Sequence, residues 1–392
     1  MAVQQHDWTK VDDALRGAAA SWPEKHEGRR TVVFPGAVLL VGQGGEIKYH
    51  KAFGCRSLVP ELTELKSDMV FDIASLTKVL VTTTLAMQLV QEDLLSLDWR
   101  LSRIFQTFGT HGKETMTVRH LLTHMSGYTG TSPYYKSIAK ADNAGRSGVM
   151  TSRSAVEMVY NEIFRSKLEN MPGKVTRYSD IGFILLGNAI EVVSGQHLDK
   201  LALKQVIRPL GLESTGYIDL STMRRRGLEP VLDSIVPTAR CPWRGRILCG
   251  EVHDDNAWAM GGVAAHAGIF STATDVHRFA RELIECYHGR GSLVEKDTVR
   301  KFWTVAGDDP HSTWALGWDT PSKTGSSSGQ FFSPGSVGHL GFTGCSLWID
   351  PERELDVVLL TNRIHPSTEN NAIREFRPVI HDLVMEALGY AN

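Results

Sequence analysis

The amino-acid sequence predicts an α/β (α+β) fold, in which an antiparallel sheet flanked by helices is built from the N- and C-terminal segments. Two observations predict this class. Segments with strand character lie near both ends of the 392-residue chain, and long apolar segments with helical spacing occupy its middle. We therefore predict a sheet domain of residues 1–73 and 300–392, and an all-helical insertion domain of residues 74–299. A functional site is expected at their interface.

The N-terminal segment predicts one helix and one β-hairpin. Apolar residues at helical spacing predict the helix from Trp8 to Trp22. Residues 36–42 and 47–54 have strand character and flank a glycine-rich turn, which predicts the hairpin. No helix follows this glycine cluster, so a tight turn is favoured over a dinucleotide-binding loop.

The middle of the chain predicts buried helices and two irregular stretches. The helices are residues 75–91, 181–193, 197–210 and 276–287. Residues 127–148 are polar and contain glycine, which predicts a loop that rims a pocket. Residues 220–250 show little periodicity and predict a surface excursion, whereas the Gly- and Ala-rich residues 258–271 favour close packing under a site.

The C-terminal segment returns to strand character. Residues 338–350 and 355–362 predict two adjacent antiparallel strands, joined by a turn that begins at Pro351. Residues 372–388 predict a closing helix. These strands can complete a sheet with the N-terminal hairpin.

The composition excludes several classes of protein. Hydrophobic residues make up 42% and charged residues 22% of the chain, and the formal net charge is −2, so no basic surface for nucleic acid is expected. The five cysteines lack CxxC spacing, which argues against a zinc site or a disulfide framework. We expect no cofactor, no metal and no membrane partner, and the polar N-terminus predicts a cytoplasmic location. The oligomeric state is not predicted.

Ser75 and Lys78 have the spacing of a nucleophile and its base. They project from one face near the start of a predicted helix, whose N-terminus favours developing negative charge. The amine can accept the hydroxyl proton if its pKa falls from about 10.4. Such a short pattern is common by chance, so a capping serine and a surface lysine stay open on this motif alone.

Further motifs lie far along the chain. Tyr178 and Asp180 precede a buried helix, and His339 and Gly341 begin an edge-like strand where glycine allows close backbone approach. Alone, Tyr178 would more often be a packed aromatic with a satisfied hydroxyl.

The pair His120 and His124 has the spacing of metal ligands on a helix. There is no Glu next to His120 and no third ligand nearby. Core or capping roles are therefore favoured for both histidines.

In this order and spacing, the motifs at residues 75–78, 178–180 and 339–341 resemble those of the penicillin-recognising serine hydrolases. These include class C β-lactamases, D,D-peptidases, D-aminopeptidases and esterases. The resemblance covers residues 36–361 and implies a serine β-lactamase-like fold.

The resemblance also implies the roles of individual residues. Ser75 would be acylated, Lys78 would share and relay its proton, and Tyr178 would act with Lys78 as base and then as acid. The oxyanion hole would consist of the backbone N–H groups of Ser75 and Phe342.

Three substrate-contact positions depart from the family pattern or extend it. Asp180 replaces an asparagine, so its side chain accepts but cannot donate hydrogen bonds, and it could pair with Lys78 and raise the pKa of that amine. His339, beside Gly341, replaces a carboxylate-attracting lysine and is mostly uncharged at neutral pH. Arg363 could bind a substrate carboxylate, and a surface salt bridge is an equal alternative.

A second candidate exists for the third motif. Lys323-Thr324-Gly325 has the form that many β-lactamases carry, but its polar, flexible context cannot hold an oxyanion donor in place. We therefore assign the motif to His339.

The leading functional hypothesis is a serine hydrolase that acts as a carboxylesterase on small acyl esters. One alternative has the same machinery on a D-amino-acid peptide, as a D,D-carboxypeptidase, or on a β-lactam as a weak β-lactamase. An alternative of another class is a catalytically silent binding protein on this fold. The expected partner is a small-molecule substrate.

Overall fold

A computed structural model describes residues 6–20, 32–144, 148–307 and 309–391. Eleven strands are found within these ranges. They are β1 (Gly36–Gln43), β2 (Glu46–Ser57), β3 (Thr63–Glu64), β4 (Phe71–Asp72), β5 (Gly216–Tyr217), β6 (Arg240–Cys241), β7 (Arg246–Ile247), β8 (Ile269–Ser271), β9 (Val337–Leu340), β10 (Ser346–Asp350) and β11 (Leu355–Thr361).

The described ranges also hold thirteen α-helices. They are α1 (Thr9–Ala18), α2 (Thr84–Gln91), α3 (Leu101–Ile104), α4 (Val118–Leu122), α5 (Tyr134–Asn143), α6 (Arg153–Arg165), α7 (Asp180–Ser194), α8 (Leu198–Ala202), α9 (Leu220–Arg226), α10 (Asp255–Ala259), α11 (Ala273–His288), α12 (Lys296–Phe302) and α13 (Ile373–Ala387). Short 3₁₀ segments cover Ala74–Leu76 and Leu232–Ser234, and π-helical turns cover Lys78–Thr83 and Leu203–Ile207.

The main sheet joins the two ends of the chain, as predicted. Its six antiparallel strands have the order β3-β2-β1-β11-β10-β9, and β1 pairs with β11 from Ala37 opposite Thr361 to Gln43 opposite Leu355. Both central strands are apolar and buried along nearly their whole length. Strands of this kind need helices on both faces of the sheet.

Helices cover each face of the sheet. Alternate residues of β1 point to opposite faces, so Leu39 packs in the cluster that contains α1 and α13, whereas Leu40 packs in the cluster that contains α11. Helix α11 lies in the range assigned to the helical domain and yet covers the sheet. The division into two domains stays a prediction.

Three stretches differ from the predicted secondary structure. The predicted loop 127–148 contains α5, because buried Tyr134 and Ile138 lie four residues apart among polar neighbours. The surface excursion 220–250 contains α9 and the hairpin β6–β7. The predicted strand 338–350 is two strands, because the Gly341 N–H donates to the Cys345 carbonyl and closes a tight turn.

The other long elements agree with the prediction. The predicted helices before Gln91, after Tyr178 and at the C-terminus are present, as is the N-terminal hairpin with its turn at Gly44 and Gly45. Ser21 and Trp22, at the end of the predicted N-terminal helix, lie outside the described residues.

Taken singly, none of the described helices has the length and apolarity needed to cross a bilayer. Helix α7 has the required length and apolarity only when residues 198–207 are counted with it, and these two segments meet at an angle of 77°.

Asn362, directly after β11, links this strand to the neighbouring strands β1 and β2. Its buried side chain accepts from the Gly36 N–H (2.8 Å) and donates to the Arg56 carbonyl (2.9 Å). Loss of the amide would leave buried backbone groups without partners.

We expect Asn362→Ala to lower the free energy of unfolding by about 1–3 kcal/mol, because two buried backbone groups lose their partners. Urea denaturation followed by circular dichroism measures the change. Asn371→Ala, at an exposed position a few residues further along the chain, is the control and should change it by less than about 0.5 kcal/mol. Equal effects of the two substitutions would contradict this account.

Candidate active site

Ser75 lies in a 3₁₀ turn at the start of the long helix that ends at Gln91. The preceding residue, Ala74, has a left-handed backbone (φ +47°), which is uncommon for a residue other than glycine. Its N–H donates to Asp72 Oδ1 (2.9 Å), and this bond holds the strained turn. Strand β4 pairs with β8 directly before the turn. The turn therefore has a fixed position, and Ser75 lines a cavity.

Lys78 is fully buried beneath Ser75, and each of its three ammonium protons has an acceptor. Nζ donates to Ser75 Oγ (3.0 Å), to Asp180 Oδ1 (2.7 Å) and to the His266 carbonyl (2.9 Å). Burial alone would lower the pKa of Lys78, but Asp180 and then Tyr178 outweigh burial and raise it. Lys78 is therefore charged in the resting protein, and the expected pairing with Asp180 is present.

Tyr178 lies on the other side of the lysine. Lys78 Nζ is 5.0 Å from the centroid of the Tyr178 ring, and the ring lines the same cavity as Ser75. Burial raises the pKa of the phenol, and the neighbouring Lys78 ammonium partly offsets this effect. The structure thus brings Ser75, Lys78 and Tyr178 together.

His124 holds the Tyr178 segment in place. Its Nδ1 accepts from the Ser179 N–H (3.1 Å), its carbonyl accepts from the Arg177 N–H (2.8 Å), and its ring centroid is 4.6 Å from that of Tyr178. The prediction of a core role for His124 is confirmed, but its support of Tyr178 was missed because histidine spacing says nothing about distant partners. His120 caps α4 together with Thr117, as predicted for a capping histidine.

The cavity over Ser75 has a volume of about 440 Å³. The predicted rim segment 127–148 contributes part of its wall. The described residues that line it are Asp72, Ala74, Ser75, Thr131, Ser132, Pro133, Tyr135, Tyr178, Asp180, His253, Asp254, Asp255, Asn256, His266, Ala267 and Phe342.

The turn between β9 and β10 forms one wall of this cavity. A Cβ at Gly341 would come within 2.7 Å of the Ile73 carbonyl, so only glycine allows the turn to lie this close to the Ser75 backbone. Phe342 follows and lines the cavity. Among the described residues, the N–H groups of Ser75 and Phe342 have no hydrogen-bond partner. Both donors are available to an oxygen atom in the cavity.

Arg363 supports this turn from behind. Its Nε donates to the Phe342 carbonyl (3.0 Å), its Nη1 donates to the Asn370 carbonyl (2.6 Å), and its guanidinium lies 4.7 Å from the Phe342 ring centroid. Arg363 is buried and does not belong to the described lining of the cavity. The structure therefore places it beside Phe342 rather than beside Ser75.

His339 is also buried and lies behind Tyr178, at 5.9 Å between ring centroids. Its Nδ1–H donates to the Leu340 carbonyl (2.9 Å). Burial, followed by the charge of Lys78, lowers the pKa of His339 to about 3, so the ring is neutral. It lies on the edge strand β9, whereas Lys323 is exposed in an irregular segment.

Several cavity residues were not predicted as site residues. His266 provides the carbonyl for Lys78, and its Nε2 pairs with Asp254 Oδ1 (2.9 Å). It lies in the Gly- and Ala-rich stretch, where Ala265 packs against Gly187 of α7 so closely that a Cβ on this glycine would clash. That composition signalled close packing, but the contact with Lys78 uses a backbone carbonyl, which side-chain motifs cannot reveal. No group of three or more metal-ligand side chains is found in the described ranges.

This fold, with a serine over a buried lysine and beside a tyrosine, defines a serine hydrolase of the penicillin-recognising superfamily. The chain belongs to the Beta-lactamase family, whose sequence profile matches residues 24–378. The predicted resemblance and fold class are thereby confirmed.

Curated relatives share similar sequences over most of their length. A putative D-alanyl-D-alanine carboxypeptidase of Escherichia coli (strain K12) is 29% identical over 361 residues, which cover 85% of this chain and 80% of the relative. An N-acetylmuramyl-L-alanine amidase of Bacillus subtilis (strain 168) is 30% identical over 362 residues, which cover 85% and 78%.

Solved structures show the same fold at lower identity. Unliganded simvastatin synthase (LovD) from Aspergillus terreus is 19% identical, with a TM-score of 0.69 over all of both chains. EstCE1, a hydrolase with promiscuous acyltransferase activity, is 20% identical with a TM-score of 0.67, over 90% of this chain and 93% of its own. The octameric penicillin-binding protein homologue from Pyrococcus abyssi is 22% identical with a TM-score of 0.65, over 91% and 74%.

We expect Gly341→Ala to reduce kcat on an acyl substrate by about tenfold or more, because the new Cβ pushes the Phe342 turn away from Ser75. Steady-state kinetics on p-nitrophenyl acetate measure the change, and thermal unfolding shows whether the fold persists. Gly216→Ala, where a Cβ meets open space, is the matched control. Unchanged kcat in Gly341→Ala would show that the close approach is irrelevant to turnover.

Proposed function

We propose that this protein is a carboxylesterase that forms an acyl-enzyme on Ser75 from small acyl esters. One observation carries the proposal: the fully buried Lys78 amine lies 3.0 Å from Ser75 Oγ, under a cavity that Ser75 itself lines. A serine hydroxyl needs such a neighbour to lose its proton during attack.

In the proposed mechanism, the pair formed by Lys78 and Tyr178 first loses one proton to solvent. Ser75 Oγ then attacks the acyl carbonyl while its own proton passes to this pair. The negative oxygen that develops accepts from the N–H groups of Ser75 and Phe342. Tyr178 then donates a proton to the leaving alcohol. In deacylation, the same groups accept a proton from the attacking water molecule and return a proton to Ser75 Oγ. These transfers reverse the proton movements of acylation.

The cavity lining supports an ester over a substrate with a free carboxylate. No lysine or arginine side chain belongs to the described lining, and neither His339 nor Arg363, the residue that could bind a substrate carboxylate, belongs to it. Proteins bind carboxylates mainly through such cations. Asp180 and the Gly341 turn remain the substrate contacts that we propose.

A second candidate is cleavage of an amide of a D-amino acid by the same groups. The similarity to a putative D-alanyl-D-alanine carboxypeptidase favours this candidate. The N-acetylmuramyl-L-alanine amidase is also named for cleavage of an amide, although of an L-amino acid. A panel of p-nitrophenyl acetate and butyrate, nitrocefin and D-alanyl peptides separates the two candidates. A cytoplasmic location also stays a prediction.

We expect Ser75→Ala to abolish turnover of p-nitrophenyl acetate while the fold is retained, because no other hydroxyl occupies the place of the nucleophile. Intact-mass spectrometry after reaction with a fluorophosphonate should show one adduct on the wild type and none on the variant. Circular dichroism and thermal unfolding are the controls for folding. Turnover or labelling that survives in Ser75→Ala would reject the mechanism.

We expect Asp180→Asn to move the rising limb of the pH profile of kcat/KM to lower pH. The Asp180 carboxylate raises the pKa of Lys78, and the pair of Lys78 and Tyr178 must lose one proton before it can accept that of Ser75. Without the carboxylate, burial dominates and the pair loses this proton at lower pH.

Rates on p-nitrophenyl acetate between pH 5 and pH 10, corrected for the uncatalysed reaction, measure this limb. Asp13→Asn, on the exposed side of α1, removes a charge far from the cavity and should leave the limb in place. A limb that stays fixed or moves to higher pH in Asp180→Asn would disprove the proposed coupling.

A further inference from the structure

Asp72 connects three segments that surround the cavity. Its carboxylate Oδ1 accepts a hydrogen bond from the Ala74 N–H (2.9 Å), and its Oδ2 accepts one from the His253 N–H (2.7 Å). Its backbone carbonyl accepts from the Thr343 hydroxyl (2.8 Å). Because β4 ends at Asp72 and pairs with β8, this junction has a fixed position in the fold.

Two of these contacts lead directly to the proposed oxyanion donors. Ala74 is the residue before Ser75 in the chain. Thr343 is the residue after Phe342. The N–H groups of Ser75 and Phe342 have no hydrogen-bond partner within the described part of the chain. A displacement of Asp72 would therefore change the distance between these two donors.

His253 connects Asp72 to Phe342 by a separate route. The His253 ring stacks on the Phe342 ring, with 5.5 Å between the centroids and an angle of 21° between the planes. Phe342 is 52% exposed, so its contacts with His253 and Arg363 hold a residue that is otherwise open to solvent. The hydrogen bond from the His253 N–H to Asp72 fixes the backbone that carries the stacked ring.

The carboxylate form of Asp72 is what allows both side-chain contacts. Burial raises the pKa of Asp72 to about 6, and the hydrogen bonds from the His253 and Ala74 N–H groups partly offset this effect. The group is therefore ionised at neutral pH, and each of its oxygens can accept. An amide in the same place would have only one acceptor oxygen, and its NH₂ group would face an N–H donor.

We propose that Asp72 is a positioning residue, which holds the N–H groups of Ser75 and Phe342 at the separation that one negative oxygen atom requires. Asp72 is 2% exposed and its carboxylate oxygens already accept from backbone donors, so it acts through other residues and not on the substrate. This inference rests on the part of the proposed function that makes Ser75 the nucleophile.

The first test is Asp72→Asn, which keeps the size of the side chain and removes one acceptor. We expect kcat on p-nitrophenyl acetate to fall by about tenfold to a hundredfold. KM should stay within about twofold, because acylation and deacylation both depend on the same two N–H groups. Rates are measured at the pH optimum of each protein and divided by the amount of Ser75 that a fluorophosphonate labels at completion.

The second test does not depend on ester turnover. Phenylboronic acid adds to a serine hydroxyl and forms a tetrahedral anion, which needs the same oxyanion donors. We expect its Kd, measured by isothermal titration calorimetry, to rise by about tenfold or more in Asp72→Asn. Ser75→Ala identifies the part of the binding that depends on the nucleophile. A change in the fraction of folded protein does not alter a Kd.

Asp350→Asn is the matched control. Asp350 is also buried, and its two oxygens also accept from backbone N–H groups, those of Ser333 (3.0 Å) and Glu352 (3.1 Å). It does not belong to the described lining of the cavity. Its substitution should lower the melting temperature and leave kcat, KM and the Kd of phenylboronic acid within about twofold of the wild type.

Thr343→Val is a second variant, for the case in which Asp72→Asn does not fold. It keeps the size of the side chain and removes the hydrogen bond to the Asp72 carbonyl. We expect it to lower kcat and to raise the Kd of phenylboronic acid, each by about threefold or more. Wild-type values in this variant, when Asp72→Asn does not fold, would overturn the inference.

The remaining outcomes separate this inference from the proposed function. Wild-type kcat and Kd in a folded Asp72→Asn, or equal losses in Asp350→Asn, overturn the inference and leave the esterase in place. If the wild type does not cleave esters but binds phenylboronic acid through Ser75, and Asp72→Asn weakens this binding, the inference holds and the esterase fails. If neither esters, the fluorophosphonate nor phenylboronic acid reacts with Ser75, both fail together.

Discussion

The buried ammonium group of Lys78 is the constraint on which the rest of the site depends. A charge removed from water is tolerated only when its donors are paired. Here three acceptors satisfy it, one from the adjacent turn and two from distant parts of the chain. Ser75 lies one turn away, Asp180 begins α7, and the His266 carbonyl precedes β8. Lys78 thus fixes three separate elements around one point, and any displacement of them leaves a buried charge unpaired.

The surrounding structure serves this arrangement in two ways. The short pairing of β4 with β8 sets the strained Ala74 turn over the lysine. His124 fixes the Tyr178 segment by accepting hydrogen bonds from two of its backbone N–H groups, one through ring Nδ1 and one through its carbonyl. The Gly341 turn completes the cavity because a glycine lets it approach the Ser75 backbone. Rigid supports of this kind are what a positioned acid–base group requires.

The sequence predicts the sheet, the long helices and the residues Ser75, Lys78 and Tyr178. The sheet and helices have local sequence patterns, and the three residues belong to motifs that occur in a specific order. Strand alternation and helical periodicity are local, and the order of the motifs around Ser75, Tyr178 and His339 is specific as a set. Helix α5 was missed because two apolar contacts in a polar, glycine-bearing stretch give a weak period. The position of Arg363 and the contributions of His266 and Asp254 depend on tertiary contacts, which no spacing along the chain encodes.

The pairing of β1 with β11 has a consequence for how the chain folds. Residues near position 40 pair with residues near position 358. The contacts at the centre of the sheet are therefore among those with the largest sequence separation in the molecule. During synthesis β1 presents an apolar, unpaired edge until β11 has left the ribosome. A nascent chain that stops before β11 therefore lacks the strand that joins β1 to β10, and aggregation or chaperone capture competes with folding until β11 has been synthesised.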